Sequence, residues 1–226
     1  MIEQNAPYVV VIDGPSGSGK GSLALRIAQN LDFNLLDSGA IYRLAALKAL
    51  QKEVDINDEL SVFESIVDLT IRFEIGQELS IPFLDGINMS NQIRQEATSE
   101  AASVIAQYPS VRQRLLTFQQ DCFQPPGLVA DGRDLGTVVF PKAKFKFFLL
   151  ASVEIRAQRR HKQLIAMGIS SNINILQAEM SERDERDRNR SESPLVPAPD
   201  AIVVDSSMLD LEEVINLVSA HIKEST

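Results

Sequence analysis

Residues 8–22, YVVVIDGPSGSGKGS, decide the fold that we expect. The apolar run Tyr8–Ile12 predicts a buried strand, and the stretch after it fits the pattern G-x-x-x-x-G-K, with helical periodicity from Lys20 onward. Such glycines let successive backbone N–H groups turn towards a polyphosphate, the helix start adds its positive dipole end, and the lysine adds a point charge. The predicted phosphate-binding loop consists of Gly14, Pro15, Ser16, Gly17, Ser18, Gly19, Lys20, Gly21 and Ser22.

This loop departs from the G-K-[ST] ending, because Gly21 follows Lys20 and the hydroxyl comes one residue later, at Ser22. Phosphoryl transfer still calls for a magnesium ion that bridges phosphate oxygens. The sequence leaves open whether that ion meets Ser22 directly or through water, and it assigns no residue as a metal ligand. A tight turn whose glycines serve only packing is the alternative to a phosphate site.

The composition describes an ordinary folded protein. Its 226 residues favour one domain with an inserted lobe, and 44% hydrophobic with 23% charged residues argue against disorder. The formal net charge of -9 repels nucleic acid, so any polyanion site must be local. The single cysteine leaves no internal disulfide. We recognise no export signal and no membrane-spanning stretch, and we expect a cytoplasmic location.

Short apolar runs alternate with stretches of helical periodicity, which indicates an α/β fold with helices on both faces of a parallel sheet. The predicted strands are Tyr8–Ile12, Phe33–Leu36, Gly127–Ala130, Lys144–Leu149 and Ala201–Val204. The predicted helices are Lys20–Asn30, Gly39–Lys52, Tyr108–Cys122, Val153–Met167, Ile173–Arg190 and Leu209–Lys223.

One stretch, Thr70–Met89, breaks this rhythm, because its apolar residues alternate around two glycine-containing turns. It predicts antiparallel strands. With the helix that follows, it predicts a lobe inserted at residues 68–107 between core segments 1–67 and 108–226. The alternative is a hairpin at the edge of the main sheet.

Arginines follow two of the predicted strands at their carboxyl ends. Arg43 lies in LDSGAIYR after the second strand, and Arg133 lies in DGRD after the third. Open parallel sheets bind ligands at that edge, so we expect both arginines to meet the phosphate-binding loop there. Their planar groups can each hold two phosphate oxygens. For one arginine alone a surface ion pair is the simpler interpretation, but the convergence favours an anion site.

The densest run of charge is SERDERDRNR at residues 181–190. Arg183, Asp187 and Arg190 stand at i, i+4 and i+7, which places them on one helical stripe that could close over phosphates. The alternative is a solvated helix with internal ion pairs. A second basic ridge, residues 156–160, either flanks a donor nucleotide or faces solvent.

These motifs together resemble one family. GPSGSGKG, LDSGAIYR, the antiparallel insert, DGRDLGTVVFP and SERDERDRNRSESPLVPA, in this order, are similar to the cytidylate kinases of bacterial type, over residues 7–220. The resemblance implies an α/β P-loop three-layer fold with a central parallel sheet. It also implies that the insert is a small antiparallel monophosphate-binding lobe and that residues 156–190 form a short helical lid.

The resemblance further implies that ATP phosphorylates CMP to CDP, with dCMP as a second acceptor and magnesium as cofactor. Lys20, Arg133, Arg183 and Arg188 would be the catalytic residues. Arg43 and Arg133 would clamp the acceptor 5′-phosphate. The implied substrate-binding residues are Ser38, Tyr42, Arg43, Ser103, Arg112, Arg133, Asp134, Arg183, Asp187 and Arg190; of these, Tyr42, Arg183 and Asp187 would lie on the ribose side, and Ser103, Arg112, Asp134 and Arg190 would read the base.

The base-reading set agrees with the chemistry of cytosine. The N4 amine donates to a carboxylate such as Asp134, and N3 and O2 accept from guanidinium groups. Uracil reverses the polarity at positions 3 and 4, so it would leave buried polar groups mismatched. We therefore expect CMP and dCMP to be preferred over UMP.

The expected reaction needs no general base, because the attacking oxygen belongs to an ionised phosphate. It does need a lid that excludes water, and Met167–Asn172 is either its hinge or a simple connection between helices. One rival is a P-loop kinase for another small acceptor, such as UMP. The other is a nucleotide-binding switch, which would not need arginines at the acceptor edge. We expect a monomer that binds neither nucleic acid nor a membrane.

Overall fold

The structure is a computed structural model in which residues 6–76, 80–166 and 168–224 are described. Along the chain its elements are β1 (Val9–Asp13), α1 (Lys20–Leu31), β2 (Asn34–Asp37), α2 (Ser38–Gln51), α3 (Glu59–Ser65), β3 (Ile71–Ile75), β4 (Ser80–Leu84), β5 (Ile87–Asn88), a 3-10 turn (Gln92–Arg94), α4 (Glu96–Ile105), α5 (Pro109–Asp121), β6 (Leu128–Gly132), a π-helical turn (Leu135–Val139), β7 (Phe145–Leu150), α6 (Val153–Ala166), α7 (Ile173–Arg188), β8 (Ile202–Asp205) and α8 (Leu211–Glu224).

Five parallel strands form the central sheet, in the order β2-β6-β1-β7-β8. The middle strand, β1, sends Val9 and Val11 into one apolar cluster and Val10 and Ile12 into the other. Helix α2 and the insert cover the first face, and α1 and α8 cover the second. Burial on both faces explains why the strand is continuously apolar. The predicted three-layer α/β fold is confirmed.

All five predicted strands of this sheet are present, and each begins one residue later than predicted. Strands β1 and β2 continue through Asp13 and Asp37, which pair with Gly132 and Asp131 of β6. The backbone ladder does not depend on apolar side chains, so it extends beyond the hydrophobic pattern. As a result, acidic side chains line the sheet edge where the glycine-rich loop begins.

The six predicted helices are present, and two details differ from prediction. Helix α7 ends at Arg188, with Asn189 as its C-cap, so Arg190 lies beyond the helix and not on its stripe. Helix α3 was not predicted, because seven residues carry little periodicity; Asp58 caps its N-terminus by accepting from a backbone N–H. Within the described ranges, none of the helices combines the length and the apolar content that a bilayer crossing requires.

The insert forms its own three-stranded antiparallel sheet, in the order β3-β4-β5, with Ile71 opposite Leu84. The predicted antiparallel strands are confirmed, and an edge hairpin of the main sheet is excluded. Leu79 of the predicted alternation lies outside the described residues. Ile71 and Leu84 belong to the same buried cluster as Leu44 of α2. The insert is therefore packed onto the core through α2.

The connection between helices α6 and α7 covers the region predicted as a hinge. Met167, the first residue of that region, lies outside the described residues. Gly168 has a φ of 75°, a conformation that favours glycine. The role of this connection as a hinge stays a prediction.

Candidate active site

The loop between β1 and α1 contains glycines whose replacement by another residue would cause a steric clash or backbone strain. A Cβ on Gly14 would lie 2.2 Å from the carbonyl oxygen of Leu149, which is far inside van der Waals contact. Gly19, the N-cap of α1, has a φ of 96°. The backbone can therefore curve around an anion at the helix N-terminus, where unpaired N–H groups and the helix dipole favour negative charge.

Lys20 lies in this loop with its Nζ folded back onto the carbonyl oxygen of Pro15, to which it donates at 3.0 Å. Burial, and then the positive charge of Arg133, lowers the pKa of Lys20 to about 7. Burial, and then the charge of Asp37, raises the pKa of Asp131 to about 7. These two groups also influence one another. A polyphosphate entering here would meet a desolvated ammonium group and would stabilise its charged form.

The arginines predicted at the carboxyl edge are held by carboxylates. Arg43 donates to Asp37 at 3.2 Å, and the same carboxylate accepts from the backbone N–H of Ala40 and so caps α2. Arg133 donates through Nε to Asp187 of α7 at 3.0 Å. An ion pair thus joins the residue that follows β6 to helix α7.

Two further arginines face this cluster with unused donors. The Nε atoms of Arg183 and Arg190 are buried and have no hydrogen-bond partner among the described residues. Burial, and then the charge of Arg133, lowers the pKa of Arg183 to about 10. Arg190 also pairs with Asp187 although it lies beyond the helix. Buried guanidinium N–H groups that have no partner among the described residues are typical of an anion-binding site.

Three of the predicted base-reading residues, Arg112, Asp134 and Arg190, lie close together. Arg112 forms an ion pair with Asp134, and its other nitrogen donates to the carbonyl oxygen of Ala106 at 3.2 Å. The guanidinium carbon of Arg112 lies 5.9 Å from the ring centre of Tyr42. The hydroxyl of Ser103 is buried and has no hydrogen-bond partner among the described residues. A carboxylate and two guanidinium groups therefore share one region, and the part predicted for Ser103 in reading the base stays a prediction.

Two predicted site residues are placed differently. Ser38 is buried and donates to the side chain of Gln119 at 2.7 Å, so its hydroxyl is already engaged. Arg188 is not brought into the arginine cluster: its side chain is 59% exposed and lies 3.7 Å from Asp184. The roles predicted for these two residues stay predictions.

The basic ridge at residues 156–160 has a role that the sequence did not reveal. Arg156 is buried, donates to the carbonyl oxygen of Ser16 at 2.9 Å, and pairs with Asp184 at 2.5 Å. Arg159 donates to the carbonyl oxygen of Ser18 at 3.2 Å. Neither is part of a solvated helix face. Asp184 lies in a run of alternating charges, and the sequence pattern of such a run does not show which carboxylate is buried.

Two cavities flank the glycine-rich loop. One, of about 390 Å³, lies between the loop, the insert and helices α6 and α7, and Ser16, Arg43, Arg183 and Glu96 are among its lining residues. The other, of about 430 Å³, lies on the far side, and its lining residues include Gly17, Gly19, Ser22, Arg159 and Ser206. The described residues include no group of three or more His, Cys, Asp or Glu that could hold a metal.

A glycine-rich loop follows the central strand and carries a buried lysine, and arginines from two strand ends and helix α7 lie near it. These features define a P-loop kinase. The cytidylate kinase family model matches residues 10–224. The chain is 49% identical over 217 residues to the cytidylate kinase of Pasteurella multocida (strain Pm70), with 96% of this chain and 95% of the relative covered. It is 51% identical over 213 residues to the cytidylate kinase of Bordetella bronchiseptica, with 94% of each covered.

An uncharacterized protein from Eubacterium ventriosum has a similar crystal structure, with a TM-score of 0.52, 10% sequence identity, and coverage of 96% of this chain and 98% of that one. At this identity the likeness concerns the fold alone. The sequence matches decide the family. The chain belongs to the cytidylate kinase family.

Proposed function

We propose that this protein transfers the γ-phosphoryl group of ATP to CMP, giving ADP and CDP, and that dCMP is a second acceptor. The observation that carries the proposal is the convergence of Lys20, Arg133 and Arg183, whose charges influence one another beside the glycine-rich loop. Two cavities flank that loop. Family membership over nearly the full chain supports CMP as the acceptor and ATP as the donor.

The donor triphosphate would lie along residues 14–22, with Lys20 released from Pro15 onto its oxygens. The nucleoside would occupy the cavity of about 430 Å³ beside Arg159 and Ser206. A magnesium ion bound to the phosphates would neutralise charge that develops during transfer. The buried hydroxyl of Ser18, which lacks a partner, and Ser22 on the cavity wall fit oxygen ligation in this region, directly or through water.

The acceptor phosphate would lie between Arg43 and Arg133, and the ribose hydroxyls would face Asp187. Asp134, Arg112 and Ser103 would read cytosine, since they offer an acceptor for N4 and donors for O2 and N3. In uracil the groups at positions 3 and 4 have the opposite polarity. The buried ion pair of Arg112 and Asp134 would then be left mismatched, which disfavours UMP.

Transfer between these sites would rely on alignment and charge. The incoming oxygen is already ionised, so Lys20, Arg133 and Arg183 would act by neutralising the phosphoryl group as bonds exchange. Residues 156–190 would form the lid and residues 68–107 the monophosphate-binding lobe. Arg188 would have to move inward from its exposed position to contribute. We also propose that the protein is a monomer in the cytoplasm.

A coupled assay of ADP release tests this proposal. The protein is supplied with ATP, magnesium and one of CMP, dCMP, UMP, AMP or no acceptor. We expect CMP and dCMP to give the highest kcat/KM values and UMP to be lower by about tenfold or more. Equal kcat/KM for UMP would overturn the base-reading assignment, and release of ADP that no acceptor stimulates would overturn the kinase itself.

A further inference from the structure

Asp13 is a buried carboxylate for which the proposed reaction has no use. It is the last residue of β1, directly before Gly14, and only 4% of its surface is exposed. Burial raises its pKa to about 6. Burying a carboxylate is costly unless it makes strong hydrogen bonds, so the contacts that hold it there identify its role.

Those contacts lead to the segment that carries the base-reading residues. The two carboxylate oxygens of Asp13 accept from the backbone N–H groups of Leu135, at 3.1 Å, and Gly136, at 2.8 Å. Leu135 and Gly136 are the first two residues of the π-helical turn. Their N–H groups are the orphan donors that every helix start exposes.

An aspartate at the N-cap of a helix ordinarily accepts from such donors itself. Asp134 occupies that position, yet its side chain makes no capping hydrogen bond and pairs instead with Arg112. Asp13 supplies the cap in its place. Because Asp13 caps the turn, the carboxylate of Asp134 is left to pair with Arg112.

The hydrogen bonds of Asp13 also connect the glycine-rich loop with the segment that carries Arg133 and Asp134. Asp13 precedes the phosphate-binding loop and is paired in register with Gly132, immediately before Arg133. A Cβ on Gly136 would lie 3.4 Å from a carboxylate oxygen of Asp13, so this glycine is in direct contact with that side chain. The position of Arg133 and Asp134 relative to the loop therefore depends on the backbone pairing of β1 with β6 and on the carboxylate of Asp13.

We infer that Asp13 is a positioning residue that determines acceptor selectivity: by capping the turn at Leu135 and Gly136, it keeps Asp134 available to read the base. The inference rests on the proposed function, since it concerns the same acceptor site. Without this cap, the orphan N–H groups would attract the carboxylate of Asp134 and draw it away from Arg112.

Asp13→Asn tests this inference, because the amide has one acceptor oxygen and its NH₂ group opposes an N–H donor. We expect KM for CMP to rise and the CMP to UMP ratio of kcat/KM to fall about tenfold, the effect of one lost charge-assisted hydrogen bond. KM for ATP should change less than KM for CMP, because the influence of Asp13 on Lys20 is weaker than its hydrogen bonds to Leu135 and Gly136. Gly136→Ala should shift the ratio in the same direction by a smaller factor.

The control is Val218→Ala, a change in the apolar cluster on the other face of the sheet, where Val218 is buried. It should lower the melting temperature and the active fraction without changing the ratio. Should Asp13→Asn fail to fold, Gly136→Ala decides alone. A CMP to UMP ratio that stays at the wild-type value in each folded variant refutes the inference. A wild-type protein without CMP kinase activity refutes the proposed function instead.

Discussion

Replacement of Asp134 by asparagine should change acceptor selectivity, and it should also lower stability because it leaves Arg112 without its carboxylate. The Asp134 side chain is 5% exposed and that of Arg112 is 12% exposed, so their ion pair is largely desolvated. Asparagine keeps the shape but loses the charge. A hydrogen bond to a charged group contributes about 1.5–3 kcal/mol, so kcat/KM for CMP should fall by about 10- to 100-fold.

UMP should respond differently to the same change. The amide of asparagine can rotate and donate to O4 of uracil, which the carboxylate of Asp134 cannot do. Arg112 should stay in place, because its second hydrogen bond, to Ala106 at 3.2 Å, does not involve Asp134. We therefore expect kcat/KM for UMP to change by less than about threefold or to rise.

The assay is steady-state ADP release with CMP and UMP at saturating ATP. The control is Glu212→Gln, which removes an exposed ion pair with Arg26 where the side chains are 47% and 63% exposed. That variant should keep kcat/KM within about twofold for both acceptors. Equal losses for CMP and UMP in Asp134→Asn, or no loss at all, would show that Asp134 does not read the base.

Three further predictions concern the loop and the lid. The pKa of Lys20 is lowered to about 7, and bound triphosphate should raise it, so ATP binding at pH about 8 should take up protons. Calorimetry in buffers of different ionisation enthalpy measures this proton uptake, and proton release would contradict the prediction. Asp184→Ala leaves Arg156 buried without its carboxylate, so urea denaturation should show a loss of about 3 kcal/mol in the free energy of unfolding. A loss below about 1 kcal/mol would mean that this ion pair contributes no more than an exposed one. Gly14→Ala should abolish ATP binding, because the added Cβ would lie 2.2 Å from a carbonyl oxygen of β7. The control, Gly86→Ala, should still bind ATP, because its added Cβ would have no neighbouring atom within 4 Å among the described residues. Equal ATP affinity in both variants would refute the steric argument.

The layered fold could be predicted from the sequence because its signals are local. The apolar run at 8–12 is buried on both faces, and the glycine pattern after it fixes the turn into α1. The antiparallel insert could be recognised for the same reason, since alternation over a few residues is enough to indicate strands. Strand ends were less accurate, because Asp13 and Asp37 continue the backbone ladder without adding to the apolar pattern.

The site was predicted in its residue types and less well in its contacts. Arg43 and Arg133 could be placed, because the carboxyl ends of parallel strands share one edge. The bond from Asp13 to Gly136 joins residues 123 positions apart, and no spacing rule predicts it. Asp184 and Arg188 differ in burial although they belong to the same charged run, since burial depends on how α7 packs against α6.

The central claim is that a donor and an acceptor phosphate meet between the glycine-rich loop and the arginine cluster. Binding of a bisubstrate compound, adenosine and cytidine joined through a pentaphosphate, tests it most directly by titration calorimetry. The account predicts one molecule bound per chain, with a Kd about 100-fold or more below those of ATP and CMP alone, because the two halves occupy adjoining sites at once. A Kd no lower than that of ATP would contradict it.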